Sequence, residues 1–372
     1  MPVLDAEHLA RIRLLRTDRI GPVSFAQLMA RFGAATVAIE ALPDLVQRAG
    51  GRAIRIATPA QVTAEVARVE AAGARYLFAD DGDYPALLGH IDNAPPVLTI
   101  RGDHALLRRP AIAMVGARNA SAAACRFARQ IAGELAEAGY LVVSGLARGI
   151  DTSAHEGAMR IAGGGLASTA GVIASGIDIS YPPENRDLQT EMGERALVIA
   201  EQPPGTEPLA RHFPYRNRII AGMALGTLVV EAAPKSGSLI TARLAAEAGR
   251  DVMAIPGSPL DSRSRGCNEL IRSGATLVQS VGDILELIEP FAGAQVQKVA
   301  APALRYAAAV PVAEPDDHAR AALVSLLSVA PVGIDELVRQ SGIESGAVQM
   351  ILLDLELAGL IERHAAGRVS LI

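Results

Sequence analysis

Short apolar segments alternate with segments of helical periodicity through the middle of the chain, between residues 84 and 291. The apolar segments contain the β-branched residues typical of buried strands, and they cover residues 111–115, 140–143, 196–200, 227–230, 252–255 and 275–278. Helical stretches such as 122–138 and 239–248 lie between them. This alternation predicts an α/β fold: an extended Rossmann-like, doubly wound and mostly parallel sheet. Ligands bind such sheets beyond the carboxyl ends of the strands.

Residues 1–75 have helical periodicity and short loops, which predict a small helical domain. A break at Ile20-Gly21-Pro22-Val23 separates two apolar helical segments, and the second of these ends at Phe32-Gly33. A Gly-Pro break of this kind is typical of a helix-hairpin-helix, a unit that offers turn amides to a DNA phosphate. A packing module without a ligand explains the same pattern.

The C-terminal part of the chain predicts a linker over residues 292–317, which are rich in Ala, Pro and Val, and a further domain over 318–372. Three helical segments and two short strands in this domain indicate a winged helix-turn-helix; they cover residues 319–327, 334–340, 345–357, 360–362 and 369–371. The third helix carries no basic residue. Because reading a major groove requires polar or basic side chains, we predict protein contact or packing for this helix rather than DNA reading.

Composition limits the classes of function. The net charge of −5 argues against a protein coated in positive charge but permits a local basic groove. Only Cys125 and Cys267 are present, without disulfide or metal-ligand spacing, so we predict a reducing compartment, the cytoplasm, and no metal site. The N-terminus lacks the apolar core of a signal peptide, and no apolar run could span a bilayer, so we predict no membrane association.

Two candidate loops follow the first two predicted strands of the central domain. In Gly116-Ala117-Arg118-Asn119, glycine permits close backbone approach and Arg118 reaches across the loop. In Ser144-Gly145-Leu146-Ala147-Arg148-Gly149-Ile150-Asp151, glycines form a turn, and Ser153 with Glu156 predicts a capping box for the next helix. Asp151 and His155 fit a helix start as well as a catalytic pair, and Ser144 lacks the G-x-S-x-G elbow of a hydrolase nucleophile, so we predict no catalytic residue. The chain has neither G-x-G-x-x-G nor G-x-x-x-x-G-K-[ST], so we predict no nucleotide cofactor.

Two further candidate loops carry positive charge. Residues 212–222 predict an amphipathic helix start whose first turn presents Arg216, Asn217 and Arg218, and these side chains suit an oxygen-rich anion. The alternative for one of these arginines is an ion pair with Glu231 or Glu201. The turn Lys235-Ser236-Gly237-Ser238 lies between a strand and a helix, where free amides and the helix dipole bind phosphate or carboxylate. The alternative is that Ser236 or Ser238 only caps the helix.

The strings SGLARGID, YPPENR, PPGT, HFPYRNRIIAG, KSGSLITARLA and GCNELIR occur in this order between residues 108 and 282. In this respect the chain resembles the DNA processing protein A family, single-stranded-DNA-binding mediators of recombination in natural transformation. The N-terminal part is similar to the sterile-alpha-motif-like domain found in that family, and the C-terminal part to the winged helix of some members. One departure is Ala174, where the family's strand tends to end in glycine; its β-carbon restricts close approach of a ligand.

The resemblance implies a dimer that binds single-stranded DNA in a basic pocket, protects it and helps to load the RecA recombinase, without catalytic turnover. By motif, it implies DNA-facing roles for twelve residues: Arg118, Gly145, Arg148, Gly149, Phe213, Arg216, Asn217, Arg218, Lys235, Ser236, Gly237 and Ser238. Phe213 would stack on a base. Several cationic groups without acid-base pairs also suit a phosphate backbone.

Two other functions compete with this interpretation. A nucleotide phosphoribohydrolase of the lysine-decarboxylase-like class also opens a helix on a phosphate, but its catalytic carboxylate would lie near Ala242-Arg243, where the chain has no acid. A winged-helix transcriptional regulator would require a DNA-reading third helix, which the apolar segment 345–354 does not favour.

Overall fold

The structure is a computed structural model that describes residues 4–160, 167–298, 315–364 and 367–372. The chain divides into two compact units. One is continuous, Glu65–Leu304, and contains the alternating segments; the other combines Met1–Ala64 with Arg305–Ile372. The two ends of the chain therefore contribute to one folded unit.

The N-terminal part consists of helices α1 (Ala6–Leu15), α2 (Pro22–Phe32) and α3 (Ala35–Arg48). Asp5 caps α1, since its carboxylate accepts a 2.8 Å hydrogen bond from the His8 amide. The turn between α1 and α2 lies at the predicted Gly-Pro break, with Pro22 in the first turn of α2, where its missing N–H costs nothing. Apolar side chains from the three helices form a core that includes Leu14, Phe25, Leu28 and Leu42.

The described part of the continuous unit contains a nine-stranded sheet. Its strands are β1 (Arg75–Phe78), β2 (Val97–Gly102), β3 (Ala111–Val115), β4 (Leu141–Ser144), β5 (Thr169–Gly176), β6 (Leu197–Gln202), β7 (Gly226–Val229), β8 (Asp251–Ala254) and β9 (Thr276–Leu277). Their order is β1-β2-β6-β5-β4-β3-β7-β8-β9. Strands β3 to β9 run parallel, whereas β2 pairs with β6, and β1 with β2, antiparallel.

Helices cover both faces of this sheet. They are α5 (Ala122–Glu137), α6 (Ile150–Met159), α7 (Arg186–Arg195), α8 (His212–Met223), α9 (Gly237–Glu247), α10 (Arg265–Arg272) and α11 (Val281–Lys298), with 3-10 helices at Leu88–His90, His104–Arg108 and Pro183–Asn185. Helix α4 (Pro59–Ala71) precedes β1 in the chain. Successive strand residues point to opposite faces, so Ile112 of β3 packs on the side of α5, α6 and α11, whereas Ala113 packs on the side of α8, α9 and α10. Both faces are therefore core, as a parallel sheet requires.

Strand β3 marks the point where the strand order reverses. The chain passes from β3 through α5 to β4 on one side of β3, while β7 pairs with β3 on the other side. The loops after β3 and β7 therefore diverge, and a crevice at such a point is the usual ligand site of an open α/β sheet.

The C-terminal part contains helices α12 (Asp317–Ser325), α13 (Ile334–Ser341) and α14 (Ser345–Ala358), with strands β10 (Val332–Gly333), β11 (Ile361–His364) and β12 (Arg368–Leu371). The strands pair in the order β10-β12-β11. This is the predicted winged helix; Ala365 and Ala366, expected in the turn between its last two strands, lie outside the described residues.

The predicted fold class is confirmed, and the six strands predicted for the central domain are present with shifts of one or two residues. The apolar pattern missed β1 and β2, because this antiparallel edge lacks the alternation with helices that marks the other strands. It also missed β5, which only the family resemblance indicated, at Ala174. The linker expected over residues 292–317 begins within α11, which continues to Lys298 because Ala, Gln and Lys favour helix. Residues 299–314 lie outside the described residues, and the domain boundaries 1–75, 84–291 and 318–372 stay predictions.

Candidate nucleic-acid interface

A cavity of about 200 Å³ opens at the carboxyl edge of the sheet. Its walls come from the loops after β3 and β4, from the last part of β5, and from the segments before α7 and around the start of α8. They include Arg118, residues 145–148, 173–175 and 181–184, Pro208 and Phe213. The volume is smaller than the roughly 300–1,000 Å³ typical of pockets for drug-sized ligands. The site is therefore a shallow hollow at the predicted edge rather than an enclosed pocket.

The loop after β4 is held by a carboxylate beneath it. Asp151, in the first turn of α6, accepts hydrogen bonds from the amides of Gly145 at 3.1 Å and Ala147 at 3.3 Å. Gly149 has a φ of 79°, and a β-carbon there would lie 2.3 Å from the carbonyl oxygen of Ala117, so this position requires glycine. Burial raises the pKa of Asp151, against the opposing effects of Arg216 and the loop amides. Asp151 thus has the helix-start role expected from the sequence.

The capping box predicted at Ser153 and Glu156 is wrong. Helix α6 begins at Ile150, three residues before Ser153, so Ser153 lies inside the helix and is buried. The Glu156 carboxylate instead forms an ion pair with Arg129 of α5. The tight turn at Gly149 starts the helix earlier than the serine pattern indicates.

Arg216 lies in the interior rather than in the open first turn of α8. Its side chain donates to the carbonyl oxygen of Gly145, at 2.6 Å, and to that of Val172, and it also donates to the amide oxygen of Asn217. The residue is 6% exposed. Burial lowers the pKa of Arg216 to about 10, while Asp151 opposes the shift. The guanidinium therefore joins the ends of β4 and β5 instead of facing solvent.

Arg218 is also buried, and its Nη2 atom lies 2.5 Å from a carboxylate oxygen of Glu201, at the end of β6. Its guanidinium lies 5.4 Å from the centre of the Tyr215 ring. The sequence alternative of an ion pair with Glu201 is confirmed for this arginine. The two arginines point inward because α8 packs along the sheet with most of its residues buried, a contact that the local sequence pattern does not encode.

Arg118 and Phe213 come together at the cavity. The Arg118 guanidinium lies 5.0 Å from the centre of the Phe213 ring, and the Tyr181 ring lies 5.8 Å from the same ring. Within the described part of the chain, Arg118 makes no ion pair with a carboxylate, whereas the exposed Arg148 lies 3.6 Å from Glu184. A guanidinium and an aromatic ring that lie against each other form a flat surface, and nucleic-acid bases stack on surfaces of this kind.

The turn at Lys235 has the predicted cap. Ser236 is the N-cap of α9 and its hydroxyl accepts from the Ser238 amide at 3.4 Å, so this serine caps the helix. Lys235 is exposed and has a φ of 67°, a left-handed conformation that lysine adopts at a cost. This turn follows β7, and none of the four residues from Lys235 to Ser238 lines the cavity. The structure therefore places the predicted site residues in three settings: the cavity, the interior below it and the α9 turn.

Glu231 has a role that the sequence interpretation missed. Its carboxylate accepts hydrogen bonds from the amide of Ser121, at 3.0 Å, and from the hydroxyl of the same residue, at 2.8 Å, at the start of α5. Its backbone oxygen accepts from the Ala117 amide at 2.7 Å. A carboxylate at a helix N-terminus stabilises the helix dipole. Glu231 thus joins the two loops that diverge at β3, and its position at the end of the buried β7 run was the available signal.

The segment 181–184 is a second part of the site without an assigned role at the level of sequence. Tyr181, Pro182 and Glu184 line the cavity, and the following Asn185 donates to the carbonyl oxygen of Leu146 at 2.8 Å. The string YPPENR contains all of these residues, so the signal was present but lacked a chemical interpretation. Ala174, where the family's strand tends to have glycine, also lines the cavity.

The described residues contain no group of three or more His, Cys, Asp or Glu side chains that could hold a metal ion. Among the same residues, no single helix has the length and hydropathy of a membrane span; α2 and α3, bent by 103°, meet those criteria only as a pair.

Comparison with models of known families gives a match over residues 75–289 to DNA recombination-mediator protein A, which is more than half of the chain. The chain belongs to this family. Residues 5–67 match the DprA-like N-terminal HHH domain, and residues 307–367 match the DprA winged helix domain. These matches confirm the family resemblance of the sequence strings.

Individual members of the recombination-mediator family show the same likeness. The chain is 35% identical over 319 residues to Protein Smf of Synechocystis, covering 79% of each protein, and 46% identical over 209 residues to DNA processing protein DprA of Streptococcus pneumoniae. The latter match covers 56% of this chain and 72% of that protein. The solved Streptococcus pneumoniae DprA structure aligns with a TM-score of 0.61 and 34% identity, over 76% of this chain and 98% of that one.

DNA processing protein A from Helicobacter pylori aligns with a TM-score of 0.52 and 26% identity, over 58% of this chain and 96% of that chain. That structure concerns the single-stranded DNA binding mode of the Helicobacter pylori protein. The alignment thus relates this family member to one studied with single-stranded DNA.

Arg216→Met should destabilise the protein. The change removes a donor from two buried carbonyl groups, and an unsatisfied buried group costs about 1–3 kcal/mol. We expect the free energy of unfolding to fall by at least about 2 kcal/mol on this basis, measured by urea denaturation. The control is Arg211→Met, which removes an exposed arginine just before α8. Equal stability of the two variants would contradict the interior role.

His155 should make the protein less stable at acidic pH. The His155 ring is buried, its Nδ1 atom lies 2.8 Å from the Thr169 hydroxyl, and burial lowers its pKa from 6.5 to about 3, with a smaller contribution from Arg216. Between these two pH values the unfolded chain binds a proton that the folded chain does not. The stability is therefore fully present above pH 6.5 and is lost, by about 1.4 kcal/mol per pH unit, as the pH falls.

The measurement compares urea unfolding of the wild type and His155→Asn at pH 7 and pH 5.5. The wild type should lose about 1 kcal/mol more than the variant across this interval. Asp151 has the opposite sign, since its raised pKa favours the folded state at low pH, but it is common to both proteins. Equal losses would show that His155 is protonated in the folded state.

Proposed function

We propose that this protein binds single-stranded DNA across the carboxyl edge of its central sheet, protects the strand, and helps to load the RecA recombinase onto it during natural transformation and recombination. The observation that carries the proposal is the arrangement of Arg118 over Phe213 at the cavity. A phosphate requires a cation that is not already neutralised, and an unpaired base requires an aromatic or guanidinium surface. Arg118 and Phe213 supply both within 5.0 Å of each other.

The shape of the cavity favours a single strand over a duplex. A rigid duplex presents its bases inside the helix, whereas a single strand turns individual bases outward to stack on protein side chains. The cavity, about 200 Å³ in volume, is open and lies beside Arg118 and Arg148. It is suited to one splayed nucleotide with its phosphates on the rim.

The Lys235 turn supplies a second site for a phosphate of the same strand. The N-terminus of the eleven-residue helix α9 and the exposed Lys235 both favour an anion. This turn and the cavity follow parallel strands of one sheet, β7 for the turn and β3 to β5 for the cavity. The DNA would contact the protein along an extended single strand rather than in one enclosed pocket. This explains why the predicted residues lie at separate places along the sheet edge.

Binding of single-stranded DNA by the Helicobacter pylori relative supports this proposal. Loading of RecA, the homodimer, the cytoplasmic location and the lack of catalytic turnover are part of the same proposal and rest on membership of the recombination-mediator family. Among the twelve expected DNA-facing residues, we propose direct DNA contact for Arg118, Arg148, Phe213 and the Lys235 turn. Arg216 and Arg218 would shape the site from the interior.

Arg118→Ala should weaken binding of a labelled single-stranded oligonucleotide by about tenfold, since it removes a charge-assisted contact. The slope of log affinity against log salt should also decrease by about one unit, because one phosphate is no longer neutralised. Fluorescence anisotropy at several salt concentrations, with the matching duplex in parallel, measures both effects.

The matched control for this experiment is Arg126→Ala, which removes an exposed arginine from α5. It should leave the affinity and the slope close to those of the wild type. If Arg118→Ala and Arg126→Ala behave alike, or if the wild type binds duplex as tightly as the single strand, the proposed site is wrong.

Lys235→Gly separates binding from folding. Glycine adopts a φ of 67° without strain, so we expect the melting temperature to stay the same or rise. The loss of the lysine charge should weaken single-strand binding by about tenfold. Arg243→Ala, on the exposed side of the same helix α9, is the control. Unchanged affinity in Lys235→Gly at matched salt would remove the turn from the interface.

A further inference from the structure

Helix α14 is buried on more than one side. The five consecutive residues 351–355 are all buried, and so are Leu357 and Ala358. A helix has 3.6 residues per turn, so five consecutive residues point in all directions around its axis. A helix that packs on a single core buries only one stripe. Helix α14 must therefore contact two different partners.

The first partner of α14 is the winged helix itself. Val348, Ile351, Leu352 and Leu355 have the spacing of one helix face and pack in a core with Leu323 and other residues of α12 and α13. This is the face expected from any winged helix. The remaining buried residues lie on another side of α14.

The second partner is the N-terminal helical part of the chain. Leu353 and Leu357 belong to the same core as Phe25, Leu28 and Leu42. These two leucines are four residues apart and so lie one above the other on the helix surface. The terminal parts of the chain thus share apolar core through this second face.

The two backbones approach each other closely at the end of α14. A β-carbon on Gly51 would lie 2.4 Å from the α-carbon of Ala358, so glycine is required there for the contact. Arg19 donates a 2.8 Å hydrogen bond to the carbonyl oxygen of Leu357. Carbonyl groups in the last turn of a helix lack partners within the helix, and an arginine from the N-terminal part supplies one.

A buried carboxylate lies at the edge of this contact. Asp354 of α14 is 6% exposed, and its two oxygens lie 3.4 Å from Arg31 of α2 and 2.6 Å from Arg320 of α12. One arginine thus comes from each of the two domains. Beside them, Gln27 donates to Gln349 at 2.8 Å. Polar groups at this depth require such partners, so they fix the orientation in which the apolar faces meet.

We propose that α14 is a docking helix that binds the N-terminal helical domain of the same chain, with Asp354 as the charged clasp, and that this contact replaces DNA reading by the winged helix. The helix that would enter a major groove instead has its second face covered by protein. That face carries leucines, which offer a phosphate backbone no hydrogen-bond donor, and an acid, which repels it. The two terminal domains then form one body, with the Rossmann domain inserted between them in the sequence.

The experiment measures how fast a thiol on each face of α14 reacts with a thiol reagent in the full-length protein. Leu357→Cys places a thiol on the face towards the N-terminal domain, and Leu352→Cys places one on the face towards the winged-helix core. Both are made in a Cys125→Ser background, with the buried Cys267 retained. The thiol from Leu357→Cys should react at least about tenfold more slowly than one from Val329→Cys, at an exposed site, because burial blocks the reagent.

The clasp is then broken from the N-terminal side with Arg31→Glu, which places a like charge beside Asp354. We expect the reaction of the Leu357→Cys thiol to accelerate about tenfold or more, since loss of a buried charge pair favours undocking. The Leu352→Cys thiol should keep its rate, because its own domain stays folded. Arg55→Glu makes the same charge change at an exposed pair with Asp18 and should accelerate neither thiol.

Any of the following results would overturn the proposal. The Leu357→Cys thiol could react as fast as the exposed one in the protein with Arg31 intact. Arg31→Glu could accelerate both α14 thiols equally, which would indicate unfolding of the winged helix, or accelerate neither. A rate that depends on protein concentration would assign the contact to a second copy of the chain. A gain of duplex binding by Arg31→Glu would show that the uncovered helix reads DNA.

Discussion

The candidate interface depends on the hydrogen bonds of the Arg216 guanidinium, which is buried beneath the carboxyl edge of the sheet. The guanidinium donates to carbonyl oxygens of the loop after β4 and of β5, while Asp151 accepts from two amides of the same loop. A buried charge without such partners would destabilise the folded state by several kcal/mol. These hydrogen bonds therefore fix the position of the loop. The exposed parts of the cavity, Arg118 and Phe213 among them, rest on this fixed base.

The local sequence pattern was sufficient to predict most of the fold. The strands β3, β4, β6, β7, β8 and β9 are short apolar runs between helical segments, and a strand buried on both faces must have this character. Strands β1 and β2 were missed because their antiparallel pairing at one edge breaks the alternation with helices, and β5 was indicated only by the family resemblance. The start of α6 was misplaced because a glycine with positive φ, Gly149, begins the helix before the serine that resembles a cap.

The candidate site was predictable in position but not in detail. The carboxyl ends of the strands follow from topology, and Arg118 and Lys235 occur directly after strands. The direction of Arg216 and Arg218 depends on how α8 lies against β5 and β6, which no spacing within residues 212–222 reveals. A charged residue in an amphipathic first turn is usually solvated, so the sequence favoured exposure. Tertiary packing instead places both guanidiniums in the interior, where Arg216 donates to the loop after β4 and Arg218 pairs with Glu201.

The shared core of the terminal domains has a consequence for how the whole chain folds. Docking of α14 on the N-terminal helices closes a loop that contains the entire Rossmann domain, and loop closure costs entropy that grows with the length of flexible chain. A folded insert shortens the flexible part of that loop, whereas an unfolded insert lengthens it. Folding of the Rossmann domain should therefore promote docking of the two ends, and any ligand that stabilises the sheet would strengthen their association by mass action.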